Sequence, residues 1–245
     1  MKIYGRNAVE EALKSGTTID RLVVQRDLRD AGANRIIQEA KDRGIKIFFR
    51  DKTALDRETE HGGRHQGFVA EVTDFKYSKP EEILALAESR GEPPFIVILD
   101  GVEDPHNLGS VIRVAECAGV HGIIIPRHRA VSVNDTVVKV SSGAAAHIKV
   151  AKVTNINNTI AELKERGVWV YAADMDGDDL YSTDLRGPVA IVVGGEGKGV
   201  SRLTREVCDG VVSIPMFGKV NSLNASVAAA VVIYEKVRQV MVAHR

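Results

Sequence analysis

The chain is 245 residues long and 44% hydrophobic, with 33 basic residues against 33 acidic ones. That apolar content excludes a disordered chain, and the even charge excludes a protein that grips polyanions through its global field, so any nucleic-acid contact must come from local basic patches. Two cysteines, Cys117 and Cys208, lack motif spacing, which excludes a disulfide framework or thiolate metal site and fits a reducing compartment.

The opening MKIYGRNAVEEAL has no apolar signal core, and the longest apolar stretch, 225–234, is about half a membrane span. A soluble cytoplasmic protein with no membrane partner is expected. Asn7, with Glu10 three residues on, marks a capped helix running to Lys14. Residues 19–25 read as a strand, 34–43 as a helix, 45–49 as a strand, 51–57 as a short helix and 66–72 as a further strand. Residues 1–74 thus predict a small α/β domain. The polar stretch 74–80 breaks the pattern, and 75–94 is read as a linker holding a proline-started helix over 80–89. Beyond it, strands are expected at 95–99, 122–125, 168–173, 189–193 and 211–214, and helices at 107–118, 155–166 and 223–240. Short apolar runs between helices predict, for 95–245, an α/β domain with a largely parallel sheet covered on both faces.

Three segments follow apolar strands: DGVEDPHNLGSVIR (100–113), IVVGGEGKGVS (191–201) and SIPMFGKVNSLNASVA (213–228). In open α/β sheets, ligands bind in such loops, beyond the carboxyl ends of strands. In the first, Asn107 reads as a helix cap or as a polar group facing a ligand. Arg113 reads as a surface arginine, or as a guanidinium one to two turns into the helix, facing the loop and able to hold a phosphate. The GGEGKG loop admits close approach to its backbone. It lacks the Walker pattern, because Lys198 precedes Gly199, and it lacks the dinucleotide fingerprint. It is either a solvated turn or a ligand loop in which Glu196 offers a carboxylate with little steric cover. The third segment joins a turn (Pro215, Gly218) to Asn221, Ser222, Asn224 and Ser226. These form a turn and a cap, or amides and hydroxyls that orient a nucleophile or bind purine and ribose edges.

Together the three segments, in this order, with GRNAVEEAL (5–13) and HQGFVAEV (65–72) before them, resemble the SpoU family of RNA ribose methyltransferases over nearly the whole chain. The one departure is Ala225, where a bulkier aliphatic residue is expected. The resemblance implies S-adenosyl-L-methionine as cofactor and a trefoil knot in the C-terminal segments, a topology no periodicity would predict. It also implies a homodimer with its active site at the subunit interface. Gly194, Ile214 and Leu223 match the family's cofactor contacts, with Glu196 and Met216 close by. Arg113 would act near the 2′-hydroxyl and the adjacent phosphate, with that phosphate or Glu196 accepting the proton. Asn107, Ser222 and Asn224 would hold ribose, base or cofactor. No metal is required, and no cluster has ligand spacing. The implied substrate is a guanosine ribose of large-subunit (23S) ribosomal RNA, or a transfer-RNA ribose.

For RNA contact, the N-terminal domain offers Arg6, Arg64 and His65. The triplet Arg127, His128 and Arg129 reads as a solvated loop or as a phosphate grip on folded RNA. Two other classes compete. A non-catalytic RNA-binding protein on the same scaffold would not need Asn107, Arg113, Glu196 and Asn224 intact. A Rossmann oxidoreductase would carry its glycine fingerprint near the first strand, with an acidic residue ~20 positions on; here the glycine loop comes late.

Overall fold

In the computed structural model, which describes residues 2–15, 17–59, 64–73 and 75–243, the chain divides into two units, Met1–Lys76 and Tyr77–Arg245. The first runs β1 (Lys2–Tyr4), α1 (Arg6–Ser15), β2 (Thr18–Gln25), α2 (Ala31–Asp42), β3 (Lys46–Arg50), α3 (Lys52–Glu58) and β4 (Phe68–Thr73). Its sheet order is β1-β4-β2-β3, with β2 and β3 parallel and the other neighbours antiparallel. Side chains on a strand alternate between faces. Leu22, Val24, Phe68 and Ala70 accordingly join Val9, Leu13 and Ile36 in one core beneath α1 and α2. Val23 and Val69 point the other way and meet Leu55 of α3.

Helix starts here are set by polar acceptors. Asp30 accepts from Ala33 N at 3.0 Å and Asp51 from Ala54 N at 2.8 Å, so α2 begins three residues earlier than the apolar pattern indicates. Asn7, expected as a cap, lies inside α1. The Gln66 side chain serves that end instead, accepting from Arg6 N at 3.1 Å. Asp74, the expected end of this domain, lies outside the described residues.

The second unit runs α4 (Pro80–Arg90), β5 (Phe95–Asp100), α5 (Pro105–Cys117), β6 (Gly122–Pro126), α6 (Asp135–Val140), β7 (Lys149–Val153), α7 (Ile156–Glu165), β8 (Trp169–Asp179), β9 (Val189–Gly194), α8 (Arg202–Val207), β10 (Gly210–Ser213) and α9 (Ala225–Ala243). All strands of the sheet β10-β8-β9-β5-β6-β7 pair in parallel. Central strands FIVILD and VAIVVG are buried on both faces, as a sheet between helix layers requires. Ile96, Ile98, Ile124, Val170 and Val192 face Ile83 of α4 and Ile160 of α7. Alternate residues face the layer of α5 and α9, which pack on each other.

Two expectations change. Residues 80–90 are not linker: Ile83 is fully buried in this core, and a Cβ on Gly122 would meet it at 2.5 Å, so α4 is seated on the start of β6. Strand β8 runs past 173 to Asp179, because its polar tail pairs with β10 after a register shift between Val211 and Val212. Among the described residues, no helix is long and apolar enough to cross a membrane.

Candidate active site

Asp100 and Gly194 end the adjacent strands β5 and β9 and are Cα partners in the ladder. The loops that leave them therefore start side by side. Asp100 ties them together. Its carbonyl accepts from Gly195 N at 3.0 Å, and its Oδ2 accepts from Ser201 N at 2.9 Å. The second loop folds back on itself, with Gly199 N donating to Gly195 O at 3.1 Å. A Cβ on Gly195 would lie 2.3 Å from Gly101 O. Glycine at that position is therefore a packing requirement.

This folding presents Glu196 at the crest of the loop, exposed. Its Oε1 accepts from Asn107 Nδ2 at 3.0 Å and from Asn224 Nδ2 at 2.6 Å, and Asn224 Nδ2 also donates to Asn107 Oδ1 at 2.9 Å. One residue from each of the three segments thus meets in a closed triangle. Asn224 serves two structures at once. Its Oδ1 accepts from Ser226 N at 2.9 Å and Ser226 Oγ at 2.6 Å, which caps α9. Glu196 Oε2 makes no hydrogen bond among the described residues, so one carboxylate oxygen is left to accept from a ligand.

Asn107 is not a helix cap. Asp104 takes that role, accepting from His106 N at 2.9 Å, with Pro105 at the first helical position. Asn107 lies in the first turn of α5, buried, its side chain free to reach the other loops. Arg113 stands apart from the triangle. Six residues of α-helix carry it about 9 Å along the axis and roughly 120° round from Asn107, and its side chain is exposed with no ion pair among the described residues.

The segment 215–223 forms no backbone–backbone hydrogen bond among the described residues. Its amides and carbonyls are open to a ligand. Ile214 is half-buried, while Met216 and Leu223 are exposed. Unpaired main-chain groups beside apolar walls suit an adenosyl group, and the glycine loop at Gly194 adds no side-chain obstruction. The residues present therefore fit the implied cofactor. Ser222 is exposed on the same segment. Among the described residues, no group of three or more His, Cys, Asp or Glu could hold a metal ion.

The basic residues divide by environment. Arg64, His128 and Arg129 are exposed, and Arg127 is half-buried. Arg6 is held by Asp30 at 2.6 Å and lies over the Phe68 ring. His65 is corrected. It is 6% exposed, its Nδ1 accepts from Gly67 N at 2.9 Å, and its Nε2 meets Asp56 Oδ1 at 2.9 Å. With both ring nitrogens engaged and the ring buried, it shapes the turn before β4 and is not a free surface group. The sequence reading missed Asp100, whose signal was an acidic residue ending an otherwise apolar strand.

This fold and this site define an α/β enzyme whose ligand loops sit at the carboxyl ends of a parallel sheet. Residues 94–234 match the SpoU rRNA Methylase family. Residues 2–78 match the RNA 2′-O ribose methyltransferase substrate binding domain. YacO of Bacillus subtilis, named for the TrmH family of tRNA/rRNA methyltransferases, is 44% identical over 97% of this chain and 95% of its own. The 23S rRNA (guanosine-2′-O-)-methyltransferase RlmB of Ralstonia nicotianae is 43% identical over the same shares. The SpoU methyltransferase AviRb of Streptomyces viridochromogenes, crystallised with AdoMet, superposes with a TM-score of 0.63 at 25% identity, covering 99% of this chain and 91% of AviRb. The chain belongs to the SpoU family: it is an RNA 2′-O-methyltransferase, and S-adenosylmethionine is its methyl donor.

Proposed function

We propose that the enzyme methylates the 2′-oxygen of a guanosine ribose in 23S ribosomal RNA, in the cytoplasm, as a knotted homodimer. The observation that carries the chemistry is the triangle of Asn107, Glu196 and Asn224 beside an unpaired main-chain segment. The relative RlmB supports the ribosomal substrate.

Bound S-adenosylmethionine supplies an activated methyl group, and the protein's task is to align it with a hydroxyl and to take away a proton. Glu196, fixed through Oε1 by two amides, presents Oε2 as proton acceptor. Arg113 holds the phosphate next to the target ribose and favours the ionised hydroxyl; a guanidinium keeps its proton and is no base. Ser222 and the main chain of 214–223, with Gly194, Ile214, Met216 and Leu223, form the cofactor wall. The offset of Arg113 from Asn107 along and around α5, with its side chain exposed, supports a site shared between protomers, in which Arg113 of one serves the loops of the other. A stripe on α9 supports the same dimer. Val227, Tyr234 and Met241, spaced by seven, are each about half exposed on one face of the helix. The first unit, with Arg6 and Arg64, holds RNA, and Arg127 and Arg129 of the second unit grip phosphates.

The test is methylation of total RNA from a deletion strain with labelled cofactor. Label in 2′-O-methylguanosine of large-subunit RNA is expected. Label confined to transfer RNA would replace the substrate and keep the chemistry.

A further inference from the structure

Strand β3 is an edge strand, paired with β2 on one side only among the described residues. Its sequence is KIFFR. Phe48 is 39% exposed and Phe49 is 42% exposed, on opposite faces of the strand. On the Phe48 face lie Lys46 and Arg50, two residues to either side and both exposed. The Arg50 guanidinium lies 6.0 Å from the Phe48 ring centroid. Four arginines of this unit are paired, Arg6 with Asp30, Arg21 with Glu58 and Glu71, Arg35 with Glu10 and Arg43 with Glu39, while Arg26, Arg29, Arg57 and Arg64 form no ion pair among the described residues. Lys46 and Arg50 meet no carboxylate among the described residues.

An edge strand carries charge to repel other strands, but that purpose needs no exposed aromatic ring between the charges. A phenylalanine face flanked by two cations that meet no carboxylate, one of them over the ring, fits one class of ligand: an unstacked base with phosphates on both sides. Aromatic faces bind bases by stacking, and neighbouring cations hold the backbone. We propose that β3 is a stacking platform for single-stranded RNA, with Phe48 under a base and Lys46 and Arg50 on the adjoining phosphates. The proposal rests on the reading of the first unit as the RNA-holding part and adds the segment and the strandedness of the RNA it takes.

The test uses the full chain and fluorescein-labelled oligoadenylate of twelve nucleotides, beside a blunt RNA duplex of the same length, with binding read by anisotropy. Phe48→Ala should weaken oligoadenylate binding about tenfold and leave the duplex nearly unchanged, while Phe48→Tyr retains binding. Phe49→Ala, equally exposed but on the opposite face from Lys46 and Arg50, is the matched control and should change binding little. Thermal melting identifies any variant that fails to fold, in which case Phe48→Tyr against Phe48→Leu decides the question. Equal binding by wild type and Phe48→Ala overturns the platform alone. So does a loss common to both RNAs, or a change of oligomeric state on substitution, which would mark the edge as a protein contact. A wild-type chain that binds neither RNA overturns the RNA-holding role as well.

Discussion

Asn107 and Glu196 lie 89 residues apart in the chain, yet the amide Nδ2 of the first donates to Oε1 of the second over 3.0 Å. The contact exists because β5 and β9 are neighbours in the sheet and their ends are in register. It turns a glycine loop into a rigid mount for one carboxylate oxygen.

Glu196→Gln tests that mount. The glutamine can keep one acceptor for the two amides, but a neutral acceptor is weaker than a carboxylate and Oε2 is replaced by a donor. Stability should fall by about 1 kcal/mol. Methyl transfer at saturating cofactor and RNA should fall roughly 100-fold or more. A variant with near-normal turnover would remove Glu196 as proton acceptor.

Arg113→Ala should abolish turnover and leave cofactor affinity nearly intact, as calorimetry would show. A mixing experiment locates the side chain. Arg113→Ala and Glu196→Gln subunits, co-expressed with separate tags, should regain activity if the site is shared, since each mixed dimer then holds one intact site. Random mixing gives about a quarter of wild-type activity. No recovery would place Arg113 and Glu196 in one chain's site.

Much of this was legible in the sequence, and the exceptions have physical causes. Buried parallel strands such as FIVILD and VAIVVG are continuous apolar runs, so the sheet and the three loops at its edge could be read directly. Strand β7, KVAKV, was not, because its lysines break the apolar run and only pairing with β6 makes it a strand. Three-residue β1 is too short to show a period. The start of α5 turned on which residue caps it; with Asp104 as cap, Asn107 lies in the first turn and Arg113, six residues on, is exposed. His65 looked like a partner of Arg64 for RNA, but Asp56, nine residues earlier, takes its Nε2.

The two cysteines differ in environment: Cys117 is exposed and Cys208 is half-buried. Burial, its largest cause, pushes the Cys208 thiol up from the ordinary 9.0 to about 12, and its Sγ lies 3.1 Å from Thr204 O. The folded chain therefore holds this proton more tightly than the unfolded chain. The resulting stability is intact below pH 9 and is lost as pH rises from there towards 12. Iodoacetamide at pH 8 should label Cys117 and spare Cys208 until denaturant is added, as peptide mass mapping would show. Equal labelling of both would contradict the burial.

A chain of residues 77–245 should fold, bind S-adenosylmethionine and remain dimeric, with weak affinity for RNA. Circular dichroism, calorimetry and gel filtration check each point. A monomeric product would move the dimer contacts out of the second unit.

One substrate tests the identity of the acceptor atom. Once the modified nucleotide is mapped, an RNA with only that residue in its 2′-deoxy form should bind nearly as well as the parent, because phosphates and RNA shape supply most of the affinity. It should accept no methyl group. Methylation of the deoxy RNA would put the acceptor on the base, and the roles given to Arg113 and Glu196 at the ribose would fall.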